Sequence, residues 1–420
     1  MSFKKIPKKD KSEDDKAKHS TNMPTVVKSY LDEKYDIRKN TISGIIEGKA
    51  KTEKAYSELN ENDVFIEMHE NNIKVGKDML KAVLRSSFIE DHNPIIEYFA
   101  SLKKWNPSAD PDHIKKLCSF IKSENDELFL LHFTKHLVRC IACVMIPNYF
   151  NKQCFVIVSP KQDLGKTSFI RFLNKGTILE NYYTENVSID KDGRFTLTEN
   201  IIINLDELAG MSKYEINQLK AFISYDKIKE REAYAAQKTT RTRIASFFAT
   251  TNDLNFLNDL TGSSRWVCFQ VFNIDFKYST SIDISKVWAQ AYALFTSGTF
   301  EYNLTKDEKQ ANEIANQKHT VISPEQEAIQ MYYEPSDKDK TPDTTFLSAT
   351  EIAEVIAKHS TFKQTVYAIG RTLPKIGFKQ VIAKDKGITK RGYYVRYLYG
   401  ADTPATAETN KPAEQSKVPF

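Results

Sequence analysis

Four short apolar runs stand out along an otherwise polar chain. They are residues 154–158 (CFVIV), 201–205 (IIINL), 244–250 (IASFFAT) and 265–271 (RWVCFQV). Each is rich in β-branched or aromatic residues and is apolar at consecutive positions rather than alternate ones. Strands buried on both faces have that pattern. Helical stretches separate the runs, one of them opening at Gly165 and ending near residue 173. This order predicts a mostly parallel α/β sheet. Upstream, helical spacing recurs over residues 26–35 and 75–84, the second after an Asn71-Asn72 turn, with a turn-rich stretch opening residues 56–68. These elements read as a small α+β domain that ends near Trp105, before the break at Asn106-Pro107. Helices are predicted over 111–121 and 127–145.

Downstream, Ser348-Ala349-Thr350-Glu351 has the form of a capping box for a helix to about His359. Residues 362–376 read as a second helix, with Pro374 near its end. Residues 378–383 and 392–398 alternate as two strands around Lys384-Asp385-Lys386-Gly387. Helices followed by a basic hairpin predict a winged-helix-like module. The chain thus divides into a basic disordered tail (1–24), an N-terminal accessory domain (25–105), an α/β domain (106–335), a linker (336–344), the winged-helix-like module (345–400) and a second disordered tail (401–420). No internal repeat is visible.

Charge sharpens this division. The 420 residues carry a net charge of only +5. Residues 343–400 alone hold ten Lys/Arg against four Asp/Glu, a net of +6. The basic excess is therefore local, and Lys384, Lys386, Lys390 and Arg391 are expected to face nucleic-acid phosphates, with protein docking as the rival use of the module. Tyr393, Tyr394 and Tyr397 are expected in its core. No apolar run reaches the length of a membrane span, because Arg139 breaks the longest, over 137–150. The lysine-rich start lacks the apolar segment of a signal peptide. Five cysteines, an odd number in apolar surroundings, fit a reducing, cytoplasmic location. His132, His136, Cys140 and Cys143 have zinc-like spacing. They fall on one face of a single helix, however, and four ligands from one straight helix cannot surround a tetrahedral ion. A packed helix is the expectation there.

The chemistry concentrates at Ser159-Pro160-Lys161-Gln162-Asp163-Leu164-Gly165-Lys166-Thr167. A buried strand precedes this stretch and a helix follows, the context of a P-loop. Backbone N–H groups would cradle phosphate, Lys166 would reach the β and γ phosphates, and the Thr167 hydroxyl would hold Mg²⁺. Gln162, Gly165, Lys166, Thr167 and Ser168 are the expected nucleotide contacts. The first glycine of the usual pattern is replaced by Pro160, and Asp163 puts a carboxylate in the loop. The next strand ends in Asp206-Glu207, where Asp206 would bind Mg²⁺ and Glu207 would polarise the attacking water, as in a Walker B strand. The third strand ends at Asn252, placed to hold that water or simply to form an Asx turn. Arg265, after the turn at Thr261-Gly262, could reach a neighbouring subunit's γ-phosphate.

These residues together resemble the virulence-associated protein E family, related to the helicase part of superfamily 3 primase–helicases of phages and mobile elements. The carrying stretches are residues 92–105, 160–173 (PKQDLGKTSFIRFL), 203–210 (INLDELAG), 219–224, 231–234 and 249–266 (ATTNDLNFLNDLTGSSRW), and the likeness covers roughly 35–275. The resemblance implies an AAA+-like ATPase core in a hexameric ring that uses ATP and Mg²⁺ to move along single-stranded DNA in its channel. It implies roles for Lys166, Thr167, Asp206, Glu207, Asn252 and Arg265 as above, and matches Lys220 and Arg231 to family positions. Family members commonly have Gly at the place of Asp163 and a basic residue at the place of Trp266. It further implies that residues 235–243, with Lys238, Arg241 and Arg243, form a hairpin lining the channel. No primase-like segment is expected in about 100 residues ahead of the ATPase, so a separate chain would prime. Two rival readings stay open. One is a nucleotide-binding DNA-recognition or loader protein with weak hydrolysis, motivated by Pro160 and Asp163. The other is a defence or regulatory ATPase.

Overall fold

The computed structural model describes residues 22–398 except 186, 207, 209–212, 231–238, 258–262, 339–342, 360–364 and 386. The N-terminal part comprises α1 (Met23–Lys34), β1 (Tyr35–Asn40), β2 (Ile46–Ala50), β3 (Ser57–Glu58), α2 (Glu61–Glu70), α3 (Lys77–Leu84), β4 (Glu90–His92) and α4 (Pro94–Ser101). Its sheet runs β3-β2-β1-β4, with β1 and β2 antiparallel and β1 and β4 parallel. Tyr35, Ile37 and Ile46 of the sheet pack on Val27, Leu31, Val64 and Leu80 from the helices. On the other face Arg38 pairs with Glu47 at 2.7 Å. This charged face hides β1 and β2 from a search for apolar runs. Ile95 and Phe99 of α4 join the central core instead, as does Ile42 of the β1–β2 turn.

The central part follows as α5 (His113–Cys118), β5 (Ile121–Ser123), α6 (Asp126–Met145), β6 (Cys154–Val158), α7 (Lys166–Phe172), β7 (Tyr183–Glu185), α8 (Lys191–Glu199), β8 (Ile202–Leu205), α9 (Lys213–Ile223), β9 (Lys227–Glu230), β10 (Thr239–Thr242), β11 (Ser246–Thr251), β12 (Trp266–Ile274), α10 (Tyr278–Ser281), α11 (Ile284–Thr296) and α12 (Lys306–Asn316). Six strands form one sheet in the order β5-β12-β6-β11-β8-β7. All pairings are parallel except that of β5 with β12. The four apolar runs are therefore four adjacent strands, covered on both faces. One face carries Phe155, Ile157, Phe248 and Phe269 against Phe129, Phe133 and Leu137 of α6 and Phe169 of α7. The other carries Val156, Val158, Ile203 and Phe247 against Leu219 and Phe222 of α9. The rings of Phe129 and Phe155 meet edge to face at 5.4 Å, and Phe155 stacks on Phe269 at 5.5 Å.

Helix α6 has the length and hydropathy of a membrane span, but most of it is buried against this sheet. Its start is fixed by Asn125, whose side chain accepts the Leu128 N–H at 3.0 Å, with Asp126 and Glu127 in the first turn. Both features favour a helix N-terminus.

The C-terminal part holds α13 (Pro324–Tyr332), β13 (Tyr333–Pro335), β14 (Thr344–Leu347), α14 (Ala349–His359), α15 (Val366–Thr372), β15 (Gln380–Asp385) and β16 (Ile388–Tyr397). The expected capping box is present: Glu351 N–H donates to Ser348 Oγ at 3.3 Å, and Ser348 N–H donates to Glu351 Oε2 at 2.7 Å. β13, β14 and β15 all pair antiparallel with β16. The sheet thus reaches back to Tyr333, across the stretch read from sequence as a linker. Tyr393 is in the core with Ile329, Tyr333, Ile352 and Ile369, and Tyr397, partly exposed, packs against it, while Tyr394 is partly exposed.

Candidate functional site

The strand order puts β11 between β6 and β8, so the carboxyl ends of three parallel strands converge. Open α/β sheets bind ligands at such ends. Past β6 the chain turns into α7 through two left-handed residues, Asp163 at φ 54° and Gly165 at φ 84°. Asp tolerates that conformation better than most residues, so the loop turns without a glycine at 163. Gly165 has a second constraint: a Cβ there would lie 2.5 Å from Cζ of Phe276. Pro160 is exposed at the start of the loop.

Four side chains expected from sequence meet here. Lys166 is buried, and its Nζ donates to Asn252 Oδ1 at 2.6 Å, Lys161 O at 3.1 Å and Ser159 O at 3.4 Å. Burial lowers its pKa, against the opposing pull of Asp206 and Asp163. The Thr167 hydroxyl donates to Asp206 Oδ1 at 3.0 Å, and the Thr250 hydroxyl donates to the same oxygen. These groups line a cleft of about 470 Å³, together with Gln162, Gly165, Ser168 and Phe276. The paired hydroxyl and carboxylate of Thr167 and Asp206 are the hard oxygen donors Mg²⁺ takes, usually one or two from protein beside water and phosphate. The residues therefore fit that ion. Glu207 lies outside the described residues.

Arg265 is elsewhere. It precedes β12, whose Trp266 is in register with Cys154, the first residue of β6. The loop leaves the other end of β6, so roughly 16 Å of strand separates Arg265 from it. Its Nε donates to Ser224 Oγ at 3.2 Å. Trp266, where a basic residue is common in the family, is buried, and its carbonyl accepts Asn312 Nδ2 at 2.7 Å and Asn316 Nδ2 at 2.8 Å. It anchors α12 to the sheet. Lys220 lies on α9, and Arg231 is outside the described residues.

The cations expected from sequence to meet DNA fall into different surroundings. β9 and β10 pair antiparallel, and β10 falls in the stretch 235–243 expected to form a hairpin; residues 235–238, Lys238 among them, lie outside the described residues. Arg243 corrects the expectation of a phosphate contact. It is fully buried, and its guanidinium donates to the carbonyls of Ala245 and Asn151 at 2.8 Å, Tyr225 at 3.2 Å, and Ile223. One of these acceptors, Ile223, is the last residue of α9, so Arg243 caps that helix. Arg241 is mostly buried too, pairing with Glu199 at 3.5 Å and donating to Ile42 O at 3.3 Å. In the C-terminal hairpin Lys384 and Arg391 are exposed. Lys390 is committed to Glu351 at 2.7 Å, and Lys386 lies outside the described residues.

The helix with zinc-like spacing is occupied by packing contacts. Burial pushes the His132 pKa down to about 4 and that of His136 well below its usual value. His136 Nδ1 lies 3.3 Å from Arg139 Nη2, and Cys143 Sγ accepts the Asn151 N–H at 3.2 Å. Sequence reasoning missed Thr250 and Phe276. A threonine two residues before Asn252, on the alternation shared with Phe248, could have marked the first. Nothing in the sequence marks the second.

The model of the virulence-associated protein E-like domain matches residues 101–321, more than half of the chain. No curated protein matches significantly. Among solved structures, the apo structure of the NrS-1 C-terminal region (305–718) is similar at a TM-score of 0.51 and 12% identity, covering 89% of this chain and 99% of that one. Its A form matches at a TM-score of 0.49 and 13% identity, over 89% and 99%. At such identities the likeness concerns the fold. With the family model spanning the sheet, the loop and the strand ends just described, the chain belongs to the virulence-associated protein E-like family.

Proposed function

We propose that this chain is an ATP-dependent DNA helicase or translocase, a ring-forming replication motor of a phage or mobile element. The observation that carries the reading is the meeting of Lys166, Thr167, Asp206 and Asn252 at three adjacent strand ends. In this reading the loop of residues 159–165 is a P-loop and the central sheet an AAA+-like core. Lys166 exchanges the carbonyls it now holds for phosphate oxygens. Thr167 and Asp206 hold Mg²⁺, which when bound neutralises charge on the phosphates. Glu207 takes the proton of the attacking water, and Asn252 orients that water.

Arg265 fits a part in a neighbouring subunit's site, because it sits at the amino ends of the strands, opposite the carboxyl ends that form its own cleft. That geometry favours a closed ring, and a hexamer is the proposed size. Single-stranded DNA would run through the channel along the β9–β10 hairpin. The helices α14 and α15 with the β15–β16 hairpin support a winged-helix-like module, whose exposed Lys384 and Arg391 would meet DNA phosphates. A separate chain would act as primase. Five free, buried cysteines accord with a cytoplasmic setting.

Asp163 in the loop favours a second reading, a nucleotide-gated loader with weak hydrolysis. The test is ATP hydrolysis by the purified chain and by Lys166→Ala. The motor reading expects turnover that Lys166→Ala reduces at least about 100-fold. Equal turnover in the two would refute it, and ATP binding without turnover would favour the loader.

A further inference from the structure

We infer that Phe276, backed by Tyr278, is the platform on which the nucleobase of the bound nucleotide stacks. This rests on the nucleotide reading of the cleft. A second cavity, of about 400 Å³, adjoins the cleft and shares Ser168 and Phe276 with it. Arg171, Phe172, Lys175, Glu180 and Tyr278 also line it. Ser168 follows Thr167 directly on α7. The polar groups therefore run without interruption from the phosphate-binding end of the cleft into a pocket with one aromatic wall. A nucleoside joined to its phosphates has that shape, with charge at one end and a flat ring at the other.

Phe276 is 52% exposed, whereas Tyr278 is 2% exposed. The two rings stack, with centroids 6.3 Å apart and planes inclined by 26°. Tyr278 is pinned edge-on by Phe172 at 4.9 Å and Phe169 at 5.4 Å, both from α7. The turn beneath is tied by Lys277 N–H to Asp275 Oδ1 at 3.0 Å. The exposed ring is thus held by the helix that carries Lys166 and Thr167, and its edge rests on Gly165. An aromatic ring kept in water and fixed in place leaves apolar surface that a flat ligand would cover. Bases of any sequence present such a face. Lys175 and Glu180, which line the same cavity, supply a cation and a carboxylate for polar edges of the base or its sugar.

The experiment compares dissociation constants for ATP and for inorganic tripolyphosphate, each with Mg²⁺, in the full chain, Phe276→Ala and Phe276→Tyr. Removing a stacking ring is expected to weaken ATP about ten-fold, leave tripolyphosphate unchanged, and be rescued by tyrosine. Phe276→Ala weakening both ligands alike would mean that the ring only supports the loop, and would overturn the inference. So would a variant that weakens neither, or a natural chain that binds tripolyphosphate but not ATP; in those cases the phosphate site still stands. A natural chain that binds neither ligand would remove the nucleotide reading and the platform with it.

Discussion

Asp163 is the residue whose replacement says most about the loop. It is exposed, lines the cleft and holds a left-handed backbone. Replacement by glycine changes two things. Relief of the left-handed conformation stabilises the fold, and the greater freedom of glycine in the unfolded chain costs about as much, roughly 0.5–1 kcal/mol each way. Stability should therefore hardly move. The charge is different. At about 8 Å in water-like surroundings, two unit charges interact by about 0.5 kcal/mol. Against the roughly two net charges of a Mg²⁺-bound triphosphate this becomes about 1 kcal/mol, or about five-fold in Kd. Calorimetric titration with Mg²⁺-ATP should show about five-fold tighter binding by both Asp163→Gly and Asp163→Asn. Asparagine matters because it keeps a residue that accepts the left-handed turn and removes only the charge. The gain should vanish in 1 M salt, where the screening length is about 3 Å. Weaker binding by Asp163→Asn would show instead that the carboxylate supports the loop rather than repelling the ligand. A gain seen with glycine alone would move the cause from charge to backbone.

Two further outcomes test the scaffold. Arg243→Ala should destabilise the chain by about 3–5 kcal/mol, since it strands several buried carbonyls; a thermal midpoint equal to that of the natural chain would return Arg243 to the DNA-facing set. Arg171 donates to both oxygens of Glu185 at 2.6 Å, and those bonds hold the Glu185 pKa below its usual value. A depressed carboxylate pKa contributes stability above the unfolded value, near 4.3, and loses it as pH falls through the folded one. Urea unfolding should accordingly find Glu185→Gln less stable than the natural chain at pH 7, with the gap closing below about pH 4; a gap independent of pH would contradict the pairing.

What the sequence makes legible follows from burial. Strands covered on both faces must be apolar at every position, so β6, β8, β11 and β12 announce themselves, and with them the strand ends that carry Asp206 and Asn252. Strands β5 and β7 have three residues each, too few for any periodicity to register. β1 and β2 alternate, but their outer face is filled with paired charges rather than simple polar residues. Arg241 and Arg243 look alike in Thr240-Arg241-Thr242-Arg243. Only the end of α9 packed beside them, brought there by the hairpin, turns one into a buried cap. Lys390 is likewise drawn off by Glu351, a capping residue 39 positions away. Phe276 has no local signal, because its role depends on the side of the sheet to which the chain returns after β12.

In the motor reading, ATP hydrolysis drives movement on DNA. The most direct measurement is steady-state ATP hydrolysis with and without single-stranded DNA, in the natural chain and in Glu207→Gln. A DNA motor should show turnover that rises with DNA and is abolished by Glu207→Gln while ATP binding persists. Turnover indifferent to DNA, or unchanged by Glu207→Gln, would contradict the motor reading.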